Sequence, residues 1–142
     1  MGVILLLHSG GDDSRDAEEY AFELAVEEKK KLVCLHAIDP IGYYGVLVHQ
    51  SDKKKAAEHL RKKLEKKAQE MGVECEFLLM EGKPDEAVKK YISKHEEDLD
   101  VIILGSTRKK IHQKIFLGSV SEKILKLTKG KFHPTIILKK IH

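Results

Sequence analysis

Val3-Ile4-Leu5-Leu6-Leu7-His8-Ser9-Gly10-Gly11-Asp12-Asp13-Ser14, near the start of the chain, decides the fold. The apolar run Val3–Leu7 is too short for a helix and shows no polar alternation, so it predicts a strand buried on both faces. Ser9-Gly10-Gly11-Asp12-Asp13-Ser14 then breaks it. From Arg15 to Lys29 the period changes, and Ala17, Tyr20, Ala21, Leu24 and Ala25 recur at helical spacing. Leu32–Ile38 is a second apolar run, closed by Asp39-Pro40. Strand, helix and strand in that order require a right-handed crossover, which sets the two strands parallel.

The rest of the chain extends the same alternation. Ile41 to Asp52 is irregular, with Gly42 and Gly45, and has room for a short strand around Val46–Val48. Lys53 to Met71 reads as a charged helix with Ala57, Leu60, Leu64 and Met71 on its inner side, stopped by Gly72. Val73–Met80 is a third strand. Pro84 to about Glu97 is a third helix, with Ala87, Val88, Tyr91 and Ile92 inward and Pro84 in its first turn. Val101–Leu104 is a fourth strand, Gly105–Gly118 a long loop, Ser119–Thr128 a short helix, and Thr135–Leu138 a fifth strand after Pro134. No repeat or Pro/Gly-rich linker divides residues 1–142. The expectation is one α/β domain, a mainly parallel sheet covered by helices on both faces. Ligands bind such sheets at the carboxyl ends of the strands, where strand order reverses, so the loops after strands one, two and four are the ones to examine.

Composition narrows the function classes. The 142 residues are 35% charged, yet 26 Lys+Arg against 23 Asp+Glu leave only +3. That balance gives no general attraction to nucleic acid or anionic lipid, and any basic site must be local. Cys34 and Cys75 lie inside apolar runs and form no Cys-x-x-Cys pair, so neither a disulfide framework nor a zinc site is expected. No segment approaches the roughly 20 apolar residues that span a bilayer, and no signal-peptide core is present. These features predict a reduced, cytoplasmic protein. Asn is absent, Gln occurs only at 50, 69 and 113, and Lys far outnumbers Arg, a hyperthermophile pattern.

The loop after the fourth strand carries the clearest chemical signal. Val101 to Ser121 holds no acidic residue, while Arg108, Lys109, Lys110 and Lys114 are positive. It closes with Gly118-Ser119 at a helix start, where outward amides and the dipole favour an anion. This composition fits a phosphate cradle. Ser119-Val120-Ser121-Glu122 is equally a capping box, in which Ser119 serves only its own helix.

Gly105, two residues, Arg108, nine residues and Gly118-Ser119 follow the spacing Gly-x2-Gly-x9-Gly-Ser/Thr. In this the chain resembles the universal stress protein family. The resemblance extends to Tyr20–Ala25, to Leu35-His36-Ala37-Ile38-Asp39-Pro40, to Gly118–Ile124 and to His133–Leu138. It implies a five-stranded parallel sheet in the order 3-2-1-4-5 and a site for ATP or AMP. In the ATP-binding branch the residue after the strand-two His touches adenine, which here is Ala37. The first Gly lies by the ribose and the later Gly and hydroxyl hold phosphates, which carries over to Gly105, Gly118, Ser119 and the neighbouring Val120. Two positions depart from the pattern: the middle Gly is Arg108, and the Asp usual at the end of strand one is Ser9. A guanidinium at 108 either replaces the lost backbone contact or fills the phosphate site. The family also has a branch that binds no nucleotide.

Ser9-Gly10-Gly11-Asp12-Asp13-Ser14 is also similar to the Ser-Gly-Gly-x-Asp-Ser loop of the PP-loop ATP pyrophosphatases. Its glycines free amides, Gly10 among them, for an anion nest. The match spans only this loop, and a Gly-Gly turn with Asp13 or Ser14 as N-cap accounts for it as well. No residue is placed as a nucleophile or general base, and no histidine pair has metal-ligand spacing. His36 is expected as a hydrogen-bonded core residue within its strand.

Three readings follow. The first is an adenine-nucleotide-binding regulatory or stress-response module, with Ser9, Gly10, Ala37, Gly105, Arg108, Gly118, Ser119 and Val120 around ATP or AMP. Mg²⁺ would arrive with the nucleotide and need no protein cage. Slow ATP hydrolysis is compatible with that loop and not implied by it. The others are a dimeric interaction protein of the same fold without nucleotide, and a small PP-loop ATP pyrophosphatase. The apolar edge strand Thr135–Leu138 must be paired or covered, which, with the resemblance, predicts a homodimer through it. A protein partner is expected but not identified, and neither membrane nor nucleic acid is expected.

Overall fold

The computed structural model describes residues 2–8, 10, 14–38, 50–95, 97–108, 115–116 and 135–140, with 50–52 and everything from 104 onward described by backbone alone. Its elements are β1 (Val3–Leu7), α1 (Arg15–Glu28), β2 (Lys31–Ile38), α2 (Gln50–Met71), β3 (Cys75–Glu81), α3 (Pro84–His95), β4 (Leu99–Arg108), β5 (Ile115–Phe116) and β6 (Thr135–Lys140). Strands run β3-β2-β1-β4 in parallel, and β6 pairs with β4 in parallel. The predicted order is thus observed, with β6 in the place of the expected fifth strand. The expected strand near Val46–Val48 and the helix Ser119–Thr128 lie outside the described residues.

Both faces of the sheet are buried, as the unbroken apolar strands require. On one face Ile4, Leu6, Leu32, Cys34 and Ile103 meet Ala17, Ala21, Phe22 and Ala25 of α1 and Leu60, Leu64 and Ala68 of α2. On the other, Leu5, Val33, Leu35 and Ile102 meet Ala87, Val88 and Tyr91 of α3. The alanines let α1 lie close to the sheet, and Phe22 fills the space between α1 and its neighbours. Burying one such phenylalanine contributes about 2–3 kcal/mol.

The helices depart slightly from their expected faces. Tyr20 is exposed while Phe22 is buried, so α1 turns the stripe 17, 18, 21, 22, 25 inward. On α2, Ala68 closes the buried stripe and Met71, at the last turn, faces water. Gly72 ends α2 as expected: its φ is +69, and Val73 N–H returns to the Ala68 carbonyl at 2.9 Å.

One boundary is corrected. Gly105 to Arg108, expected as loop, continues β4 to Arg108. A glycine and three small or polar residues lack the apolar pattern of a strand, but here their backbone is paired on the β6 side, and Thr107 and Arg108 also pair antiparallel with Phe116 and Ile115. Because β6 takes one edge of β4, β5 lies on the β1 edge, beyond the carboxyl end of β1.

Candidate functional site

The register sets the carboxyl edge of the sheet in rows. Leu78, Leu35, Leu7, Leu104 and Ile136 form one row across β3, β2, β1, β4 and β6. One residue further on, Leu79 pairs with His36 and Gly105 with Ile137, with His8 between them leaving β1. The next row holds Met80 beside Ala37 and Ser106 beside Leu138. Ala37 and Gly105, singled out 68 positions apart in the chain, therefore lie on adjacent rows, either side of the end of β1. That is the switch point, where β1 leads to β2 on one side and β4 on the other. Arg108 is three positions beyond Gly105 on the same strand, about 10 Å further along it. Ser9, Gly118, Ser119 and Val120 lie outside the described residues.

His8 leaves β1 with its backbone and ring all engaged. Its N–H donates to the Leu35 carbonyl at 3.0 Å, and its carbonyl accepts from His36 Nδ1 at 2.8 Å. Its ring Nδ1 accepts from the Gly10 N–H at 2.9 Å, and Nε2 lies 2.9 Å from Glu18 Oε1. Glu18 Oε2 in turn accepts from Lys67 Nζ of α2 at 3.0 Å, and that ammonium stands 4.8 Å above the Phe22 ring. His8 and Glu18 are 4% and 5% exposed, so both polar groups are removed from water and satisfied by each other.

The electrostatics follow from this packing. Burial pushes the Glu18 carboxyl up, but the hydrogen bonds from His8 and Lys67 and the Lys67 charge outweigh it, holding the group at about 2. Glu18 is thus a carboxylate throughout the neutral range. Burial lowers His36; its bond to the His8 carbonyl opposes this and the neighbouring His8 adds to it. His36 is therefore a neutral imidazole at pH 7 with its proton on Nδ1. It is hydrogen-bonded as expected, but only part-buried.

Gly10 closes over His36. Its φ is +91, in the region open to glycine, and a Cβ there would stand 3.1 Å from His36 Cε1. The loop after β1 thus approaches the end of β2 as closely as a side-chain-free residue allows. Ser14 is buried at the N-cap of α1. Elsewhere, burial raises both thiols, Cys75 to about 11, so neither cysteine is a nucleophile at neutral pH. Among the described residues no cluster of three His, Cys, Asp or Glu is arranged to hold a metal ion, and no helix is long and apolar enough to cross a membrane.

The feature that sequence reasoning missed is Glu18. Its signal was its place one turn before Phe22 on the inward stripe of α1, where a carboxylate needs buried partners.

Comparison with known proteins gives a consistent result. The model of the universal stress protein family matches residues 1–131. A universal stress protein of Methanocaldococcus jannaschii is 28% identical over 144 residues, covering 96% of this chain and 81% of the relative. Among solved structures, UspA from Lactobacillus plantarum superposes with a TM-score of 0.69 at 18% identity, covering 96% of each chain. A universal stress family protein from Arabidopsis thaliana, solved with AMP bound, gives 0.61 at 18% identity over 96% of this chain and 92% of that one. At such identities the structural likeness is one of fold.

Proposed function

Because the chain belongs to the universal stress protein family, we propose that it is a cytoplasmic regulatory or stress-response module that binds ATP or AMP at the carboxyl edge of its sheet. The observation that supports this reading best is the convergence of Gly10, Ala37 and Gly105 around the end of β1. Two of these lack a side chain, and at Gly10 a Cβ would fill the space against His36. Backbone that must come close to a ligand favours such positions. The AMP complex of the Arabidopsis protein, which shares this fold, supports the same choice of ligand. In this reading Ala37 would face adenine, Gly10 and Gly105 the ribose side, and Arg108 with Gly118, Ser119 and Val120 the phosphates. Ser9 would stand where the family has an Asp. Mg²⁺ would enter with ATP, carried by phosphate oxygens and water.

Calorimetric titration with ATP and AMP tests the proposal, and Arg108→Gly tests the departure from the family pattern. Wild-type protein is expected to bind. Arg108→Gly is expected to bind roughly tenfold more weakly, the loss of one charge-assisted phosphate contact. A gain in affinity would instead make Arg108 a plug in the phosphate site. Release of pyrophosphate in the presence of ATP and a second substrate would favour the pyrophosphatase reading.

The dimer belongs to the same proposal. β6 is an apolar strand paired with β4 on one side, and no strand of the described residues lies beyond it. A second copy pairing along β6 would cover that edge. Light scattering at micromolar concentration is expected to report twice the mass of 16.1 kDa; a monomer would count against it.

A further inference from the structure

We propose that His8 is the positioning residue of the nucleotide site, its imidazole held by Glu18 in the one tautomer that fixes Gly10 and, through its carbonyl, His36. This rests on the nucleotide reading of the site and deepens it. The chemistry of the partners determines the tautomer. A carboxylate only accepts, so the proton shared with Glu18 Oε1 belongs to His8 Nε2. Nδ1 is left with a lone pair, and the Gly10 N–H donates to it at 2.9 Å. The opposite tautomer would set a donor against the Gly10 donor and a lone pair against a carboxylate. Lys67, 3.0 Å from the second Glu18 oxygen, keeps the carboxylate charged and turned toward His8.

The other half of the junction is the backbone of the same residue. The His8 carbonyl accepts from His36 Nδ1 at 2.8 Å, which sets the His36 ring under Gly10 and just ahead of Ala37. One residue thus joins the loop after β1, the end of β2, and helices α1 and α2. A histidine serving only to fill the core would not need its Nδ1 on the amide of a loop glycine. In that reading His8 and Glu18 would act on the nucleotide through Gly10 and His36.

Two near-isosteric variants separate positioning from bulk stability. His8→Gln places an amide N–H where Nε2 stood and keeps the Glu18 bond, but leaves Gly10 without an acceptor. His8→Asn places an oxygen where Nδ1 stood and keeps the Gly10 bond, but abandons Glu18. Affinity for AMP and ATP is expected to fall roughly tenfold in His8→Gln and to stay within about threefold of wild type in His8→Asn. Hydrogen exchange at the Gly10 amide is expected to speed up in the first variant and not in the second. Equal losses of affinity in both, or a His8→Gln that keeps both affinity and Gly10 protection, would overturn the assignment. If wild-type protein binds neither nucleotide, the reading of the site fails, and Gly10 exchange decides the junction alone. Should either variant fail to fold, nitrogen-15 spectra of the wild-type His8 ring decide: a protonated Nε2 with bare Nδ1 supports the proposal, and the reverse contradicts it.

Discussion

Glu18→Ala is expected to cost about 3 kcal/mol of stability at pH 7, read from guanidinium unfolding. The substitution leaves the His8 Nε2–H buried without its acceptor and removes the anion that Lys67 balances. The pH dependence expected from the same contacts is of similar size. The Glu18 carboxyl sits at about 2 rather than its ordinary 4.5, which corresponds to about 3 kcal/mol of linkage. Since the folded-state value is the depressed one, this stabilisation is fully present above the unfolded value near 4.5. It is lost as pH falls from there through about 2. Glu18→Gln, which still offers an oxygen to His8, should be destabilised less at pH 7. Its difference from wild type should shrink to nothing across that acid window. A loss below about 1 kcal/mol for Glu18→Ala, or an unchanged acid limb in Glu18→Gln, would mean that the buried pair does not hold α1 to the end of β1.

The second large effect is at Gly10. Gly10→Ala imposes a Cβ on a backbone with φ of +91 and sets it 3.1 Å from His36 Cε1. The left-handed conformation alone costs roughly 1–2 kcal/mol, and the His36 ring must also give way. Affinity for adenine nucleotide should fall by at least roughly tenfold, because relief of either strain moves the loop off the end of β2. Gly72→Ala is the matched control. Its φ is +69 and nothing stands within 4 Å of the added carbon, so it carries the backbone strain with no neighbour to displace. It should lower stability by about 1 kcal/mol and leave nucleotide affinity unchanged. Equal affinity in Gly10→Ala and wild type would show that the loop after β1 does not face the ligand.

Much of this architecture was legible from apolar runs and their breaks. Val3–Leu7 and the start of α1 at Arg15 stand where pattern alone places them, because a strand buried on both faces has no polar residue to blur its ends. The end of β4 was not legible, since Gly105-Ser106-Thr107-Arg108 takes its strand form from pairing partners distant in the chain. The inward face of α1 was misjudged for a related reason. Helical spacing puts Tyr20 among the inner residues and does not single out Glu18, yet burial favours Phe22, and Glu18 goes inward because His8 and Lys67 are there to meet it. Those partners lie 10 and 49 positions away, and no local pattern announces them. At the site, Gly10, Ala37 and Gly105 were singled out by motif and the sheet brings them to one edge. That His8 holds Gly10 became visible only in the hydrogen bonds.

The most direct test of the central claim is the nucleotide content of protein purified without added ligand. The protein is denatured and its supernatant resolved by chromatography. ATP or AMP is expected in the supernatant, in a fixed proportion to protein. A supernatant free of adenylate, from protein that also shows no thermal shift with ATP or AMP, would contradict it and place the chain with the members of its family that bind no nucleotide.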